Sequence, residues 1–390
     1  MVKITNILLR VLKQINKRVK YHFIDFLIFR NVYHTHYSKS VLILYIAEPF
    51  FNRTDTHTHQ QMSIEIAKVF KNKGYNVDVA QYTIKRKINF TKYDVVFGFG
   101  AQFNKLLKET SDDSKIKTIA LLTGASEYYT NLAELRRLAY FKKRNGTALM
   151  LRRQAHESDG LMDLAALQNV TAAICTGNAW SVSTWKDMIN SIYQITATGF
   201  DSVKLSDINR DVNNAKKNFL WFSGAGMLHK GLDLCIEAFR GNTDLHLYIA
   251  GAKDSDFYEF YKEDFESENI HYCGFINVKS EKYRELCEKC LFCIFPSCSE
   301  GGATSVLTTM FSGMIPIVTE TASVDIEDWG ILIRCLEIDY LVALIREVSG
   351  MNNEDLKIRE EKAYRYAMEN HSIDKFGTDF NKIIDMILSA

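Results

Sequence analysis

Residues 296–313 read PSCSEGGATSVLTTMFSG. The apolar run LFCIF (291–295) leads into Pro296 as a strand would, and small polar residues follow. Val306, Leu307, Met310 and Phe311 then recur at helical spacing and mark a buried face. In open parallel sheets, ligands bind beyond the carboxyl ends of strands, where loops lead into helices. Gly301 and Gly302 are expected to leave backbone N–H groups unobstructed at the helix start, where partial positive charge favours phosphate. Glu300 stands at the mouth of that loop, and a carboxylate there suits a sugar hydroxyl better than a phosphate. The loop therefore reads as a holder for both halves of a sugar nucleotide; the plain alternative is a Gly-rich connection with Glu300 as a capping residue.

Upstream, WFSGAGMLHKGLDLCIEAF (221–239) has the same layout: a strand, a turn of small residues containing Gly224 and Gly226, then a helix with Leu232, Cys235, Ile236 and Phe239 on one face. Lys230 precedes that helix, where it could neutralise a diphosphate or simply be a solvated helix-end charge. The segment is not a P-loop, because Lys230 precedes Gly231 and no Ser or Thr follows to hold magnesium.

From residue 41 short apolar runs alternate with amphipathic stretches, the signature of parallel α/β construction. One series of strands is expected at 41–47, 76–80, 93–99, 116–122, 172–176 and 193–198, and a second at 218–224, 245–251, 270–275, 291–297 and 315–319. Their near-continuous apolarity implies cover on both faces. Between the series, residues 199–217 are polar and lack apolar periodicity, so the hinge is expected there. A chain of 390 residues exceeds the roughly 250–300 at which one core stops growing, which agrees with two domains.

The net charge of +1 hides a basic N-terminus: residues 1–40 hold eight Lys or Arg and one Asp. Ile4, Leu8, Val11, Leu12, Ile15 and Val19 lie at helical spacing among those charges. Residues 1–30 thus read either as a helix on an anionic membrane surface or as one packed on its own protein. The apolar run that follows is interrupted by Asp25 and is too short to span a bilayer. A basic excess confined to this apolar-faced segment argues against nucleic-acid binding. Cys287, Cys290, Cys293 and Cys298 have a spacing that invites a metal reading, but a helix end followed by a buried strand does not converge on one ion, so no metal site is expected.

Taken in order, FSG (222–224), KGLDL (230–234), LHLYIAG (245–251), IHYCGF (270–275) and PSCSEGGATSVLTTMFSGMIPIV (296–318) resemble the donor-binding domain of GT-B glycosyltransferases, especially the retaining enzymes of family 4. HTHQQMSIEIAKVFKNKGYNVDVAQY (57–82) looks like the first strand-helix-strand region of related transferases, and HSIDKFGTDFNKIIDMIL (371–388) like their last helix. The resemblance implies an α/β GT-B fold, with two Rossmann-like parallel-sheet domains facing an interdomain cleft. It divides the chain into a basic segment (1–40), an acceptor-side domain (41–200), a nucleotide-sugar domain (201–370) and a helix crossing back to the first domain (371–390).

It implies transfer of a hexose from a nucleotide diphosphate sugar to an acceptor hydroxyl, with retention and no obligatory metal or other cofactor. The basic N-terminal segment and the lack of a spanning run make a cytoplasmic protein, or one peripheral on the inner membrane face, the expected location. Lys230 would contact the donor diphosphate and Glu300 the transferred sugar. Gly224, Gly226, Gly274, Ser297, Gly301, Gly302, Ala303, Thr304 and Ser305 would line the donor site, with Phe275 near the base. Thr308 stands where the family carries a second acidic residue, and Ala225 where it carries a basic one. His57, His59, Glu127 and Asn178, at strand-to-helix connections, are acceptor-side candidates or plain loop residues. Arg152 and Arg153 are candidates for an acidic acceptor or the donor phosphates. Two rival functions are a catalytically silent GT-B-like binding subunit and a sugar-nucleotide epimerase.

Overall fold

A computed structural model describes residues 23–52, 57–109, 115–154 and 164–389. Most of the expected N-terminal helix therefore lies outside the described residues. The first sheet holds β1 (Ile28–Phe29), β2 (Lys39–Tyr45), β3 (Tyr75–Gln81), β4 (Val95–Gly98), β5 (Lys117–Leu122), β6 (Ala172–Thr176) and β7 (Ile192–Ile195). They run in the order β1-β3-β2-β4-β5-β6-β7, parallel except for β1 against β3. The second holds β8 (Asn218–Phe222), β9 (His246–Ala250), β10 (Ile270–Gly274), β11 (Phe292–Phe295), β12 (Ile315–Val318) and β13 (Ile331–Leu332), ordered β10-β9-β8-β11-β12-β13 and wholly parallel. Each expected strand is present. The edge strands β1 and β13 were not foreseen, because two residues make no readable run.

The central strands are buried on both faces, as their composition requires: Val41 to Tyr45 and Phe292 to Phe295 are almost wholly inaccessible. Helix α1 (Thr58–Asn72) starts at His57, whose Nδ1 accepts the His59 N–H, and buries Met62, Ile66, Val69 and Phe70 against the first sheet. Helix α2 (Glu127–Asn145) is capped by the Ser126 side chain, and α3 (Ala179–Ser183) by that of Asn178. In the second half α4 (Leu232–Phe239) follows β8 and α5 (Thr304–Met310) follows β11.

The chain passes between the two halves twice, and the two passages are bonded to each other. Gly199 N–H donates to His371 O (3.1 Å), Thr196 Oγ1 to Asn370 O (2.9 Å), and His371 Nδ1 lies 2.8 Å from Ala197 O. Between α6 (Asn353–Asn370) and the C-terminus, α7 (Ile373–Ser389) returns to the first sheet. There Phe376, Phe380, Ile383, Ile384 and Ile387 join its core, Phe380 lying 5.4 Å from the Phe97 ring. The segment read as a polar hinge is not free of the core, since Phe200, Val203, Val212 and Ala215 are buried in the second half. Their irregular spacing conceals them from a periodicity argument.

Helix α2 is the larger surprise. It leaves β5 of the first sheet, yet Phe141 is buried in the second core, 5.1 Å from the Phe260 ring. Arg144 pairs with Asp233 (2.5 Å) and Glu237 (2.8 Å) of α4, and Arg137 Nη2 donates to Pro296 O (2.8 Å). Burying one such phenylalanine contributes about 1.5–3 kcal/mol, so α2 fastens the two halves beside the cleft.

Candidate active site

The cleft opens at the carboxyl ends of the second sheet, a volume of about 760 Å³ including its open side. Phe222, Ser223 and Gly224 after β8, Phe275 to Val278 after β10, and Thr304, Ser305 and Thr308 of α5 line it, with His57, Thr58 and Phe200 opposite. Phe275 is 75% exposed, which is unusual for a large aromatic side chain. Gly274 before it takes φ +73, turning the chain sharply out of β10 so that the ring stands on the cleft wall.

Beside the cleft Lys230 and Glu300 are joined. Lys230 Nζ donates to Glu300 Oε1 at 3.0 Å, and Ser297 Oγ donates to the same oxygen at 2.9 Å. Both charges are largely withdrawn from water. Burial pulls the Lys230 ammonium below its ordinary value, with Glu300 opposing. Burial alone would push the Glu300 carboxyl up, but Lys230, Arg153 and His229 outweigh it and hold it below the usual carboxylate range. Glu300 is therefore an anion at neutral pH. Next to this pair His229, 1% exposed, bonds through Nε2 to Ser299 O at 2.8 Å. A carbonyl oxygen only accepts, so Nε2 carries the proton, and Nδ1 is buried without a partner among the described residues. Burial pushes this imidazole down to about 4.

The structure separates the sequence candidates into groups. Gly224, Phe275, Thr304, Ser305, Thr308 and His57 line the cleft, and Ser297 orients Glu300. Gly301 and Gly302 do not open a free helix start. Helix α5 begins at Thr304, and the two glycines pack against the first half, where a Cβ on Gly301 would stand 2.2 Å from Thr123 O and one on Gly302 2.6 Å from Ala197 Cβ. Ala303 is buried and donates its N–H to Ala322 O. At Gly226 the N–H is already taken: Asp254 Oδ2 accepts from Gly226 (3.0 Å) and Met227 (2.7 Å).

Thr308 has a structural task. Its Oγ1 accepts the Phe200 N–H (3.0 Å) and donates to Thr304 O (2.7 Å), tying the interdomain crossing to α5. Asn178 likewise bonds across the halves, Nδ2 to Asp325 Oδ1 at 2.9 Å, and its N–H to Ser323 Oγ at 2.9 Å. His59 lies 4.4 Å from His57, ring to ring, and desolvation, then His57 and Arg153, press it down to about 3. Glu127, in the first turn of α2, keeps one buried oxygen without a partner among the described residues, and burial raises its carboxyl to about 7. Asp254 and His229 were not singled out from sequence; the one available signal was an acid placed just beyond a strand end, in GAKD (251–254). Among the described residues no three His, Cys, Asp or Glu side chains form a metal-binding group. Cys287, Cys290 and Cys293 are small buried members of the second core.

Residues 205–363 match the family Glycosyl transferases group 1. The fold is GT-B. Sucrose-phosphate synthase from Thermosynechococcus elongatus superposes with a TM-score of 0.65 at 9% identity, over 90% of this chain and 100% of that one. A glycosyltransferase from Rickettsia africae gives 0.59 at 13% identity, over 90% and 99%. HepE from Anabaena, solved in complex with UDP and glucose, gives 0.57 at 11% identity, over 91% and 100%. No curated protein matches the chain by sequence. The matched span covers β8 to β13 of the GT-B fold, including Lys230, Phe275 and the Glu300 loop.

Proposed function

We propose that this chain is a retaining hexosyltransferase that moves a hexose from a nucleotide diphosphate sugar to an acceptor hydroxyl on a glycan, a lipid-linked glycan or a protein. The observation that carries the reading is the buried Lys230–Glu300 pair beside a cleft at the carboxyl ends of parallel strands. A group 1 match over that half and a same-fold neighbour holding UDP and glucose support it. The donor base would stack on Phe275, whose exposed ring has no covering side chain to displace. The diphosphate would pass Gly224, Thr304 and Ser305 toward Lys230.

When the glycosidic bond to the diphosphate breaks, the electron pair leaves with the phosphate oxygen. Lys230, desolvated and fixed, meets that charge without reorganisation. Glu300, held as an anion by Lys230 and Ser297, would accept hydrogen bonds from the sugar hydroxyls and orient the ring. His57, which lines the cleft, with His59 beside it and Glu127, would serve the acceptor side. Exposed Phe23 and Phe26, next to the basic N-terminal sequence, fit a peripheral position on an anionic membrane face. Among the described residues no helix is long and apolar enough to cross one.

A thermal-shift screen with UDP-, GDP-, ADP- and TDP-sugars tests the donor half of the reading, because a ligand that binds the native state raises its stability. A nucleotide sugar that raises the melting temperature, together with loss of most turnover in folded Glu300→Gln, is the expected result. The second reading, a binding subunit without turnover, is favoured by one observation: Asp254 already occupies the Gly226 and Met227 amides. Donor hydrolysis or transfer above background removes it.

A further inference from the structure

Beyond α2 the chain turns back toward the cleft through Arg152, Arg153 and Gln154, and a buried carboxylate holds it there. Glu134 Oε1 accepts the N–H of Arg152 (3.0 Å) and of Arg153 (2.9 Å), while Oε2 accepts Gln154 Nε2 (3.0 Å). Glu134 is only 2% exposed, so withdrawing its charge from water is offset by these bonds. The result is a fixed main chain from which two guanidinium groups project. They differ in what they meet. Arg152 is engaged, its Nη2 donating to Asp256 Oδ1 at 2.5 Å. Arg153 is exposed and its guanidinium makes no hydrogen bond or ion pair among the described residues.

The Arg153 stem lies over the turn between β8 and α4, where a Cβ built on Gly226 would stand 3.0 Å from its Cγ. From there its charge acts on Lys230, Glu300, His57, His59 and His229. Glu300 is the one carboxylate in that set, and Lys230 and Ser297 already engage it. An unpaired guanidinium close to a buried ammonium is a like-charge arrangement that a ligand with more than one negative charge relieves. It acts at the Lys230–Glu300 end of the site.

We propose that Arg153, reaching in from the first half of the chain, is the second phosphate-binding side chain of the donor site and takes the distal phosphate of a nucleoside diphosphate together with Lys230. The proposal rests on the donor reading above and deepens it. Its planar guanidinium presents two parallel N–H donors to two phosphate oxygens in a fixed fork, a geometry that a lysine ammonium lacks. Because Lys230 follows β8 and Arg153 follows α2, two separate segments of the chain would grip the diphosphate at the β8–α4 turn.

Calorimetric titration of wild type, Arg153→Gln and Arg153→Lys with UDP, GDP, ADP and the matching monophosphates tests this. For the diphosphate that wild type binds best, Arg153→Gln is expected to weaken binding about tenfold or more, and the monophosphate less than about threefold. Arg153→Lys, which keeps the charge and loses the fork, should fall between. Unchanged diphosphate affinity in Arg153→Gln, or an equal loss for both nucleotides, overturns the assignment; raised KM for an acidic acceptor with unchanged diphosphate affinity overturns it too. If wild type binds none of these nucleotides the donor reading falls, and inorganic pyrophosphate then decides on Arg153 alone. Binding by wild type that Arg153→Gln weakens supports the anion site, and absent or equal binding sinks it. Melting temperatures of the variants establish that each is folded.

Discussion

Gly301 and Gly124 meet backbone to backbone across the interdomain boundary: a Cβ on Gly301 would stand 2.4 Å from the Gly124 Cα. The Glu300 carbonyl, one residue earlier, accepts the Ser181 hydroxyl at 3.2 Å, and the Trp185 indole N–H donates to Gly124 O at 2.7 Å. The loop that carries Glu300 is therefore positioned by the first half as well as by its own strand.

Gly301→Ala should force this contact apart. Overpacking of this kind costs roughly 1–3 kcal/mol, and here the strain can be relieved only by moving one half against the other. A lower melting temperature with an increased radius of gyration by small-angle scattering is expected. Gly350→Ala, where nothing lies within 4 Å, is the control and should change stability by no more than about 0.5 kcal/mol. Equal behaviour of the two variants would rule out the close approach.

The Lys230–Glu300 pair should show strong coupling. Removing one partner of a buried ion pair leaves a lone buried charge and costs about 3–5 kcal/mol, whereas removing both is far milder. Lys230→Met should thus be less stable than Lys230→Met combined with Glu300→Gln, as measured by urea unfolding at pH 7. Additive losses would mean that the two charges do not depend on each other.

His229 should make the fold acid-sensitive. Its folded value of about 4 lies below the ordinary 6.5, so between these values the unfolded chain binds the proton that the folded one refuses. Stability contributed by the neutral imidazole is full above pH 6.5 and declines as pH falls toward 4. At pH 5 the loss from this one group is roughly 2 kcal/mol. Glu300, depressed by its partners, adds a loss only below the ordinary carboxylate range. Comparing urea midpoints at pH 7 and pH 5, His229→Gln should lose less than wild type. An identical pH slope in both would refute the assignment.

Phe275→Ala should separate binding from folding. The ring is exposed, so its removal is expected to leave the melting temperature nearly unchanged. Stacking of a base on an aromatic ring is worth about 1–3 kcal/mol, which corresponds to a loss of nucleotide affinity of about five- to 150-fold. Calorimetry with the preferred nucleoside diphosphate measures it, and unchanged affinity would place the base elsewhere.

The strands and the Glu300 loop were legible because their signals are local. Buried parallel strands must be apolar throughout, so VLILYIA and LFCIF announce themselves, and a strand followed by Ser, Gly and Thr before an apolar-faced segment reads as a strand-to-helix loop, which is where the folded chain has one. Lys230 and Glu300 were readable for the same reason: each stands at a strand-to-helix connection of the second sheet.

Nothing in the sequence of helix α2 says that Phe141 and Arg144 serve the opposite half. Thr308 departs from an acidic position, and only its bond to Phe200, 108 residues away in sequence, gives the hydroxyl a reason. Gly301 and Gly302 read from sequence as open phosphate-binding amides, whereas in the folded chain their missing side chains make room for Thr123, Gly124 and Ala197. Arg152 pairs with Asp256, whereas the Arg153 guanidinium makes no ion pair among the described residues, a difference that the two adjacent arginines do not show in the sequence. The sequence by itself determined two parallel sheets and the segment that carries the carboxylate, because burial and helix entry depend on residues a few positions apart. Tertiary structure alone decided which charges stay unpaired and which glycines touch, because those depend on chain segments that meet only when the two halves close on each other.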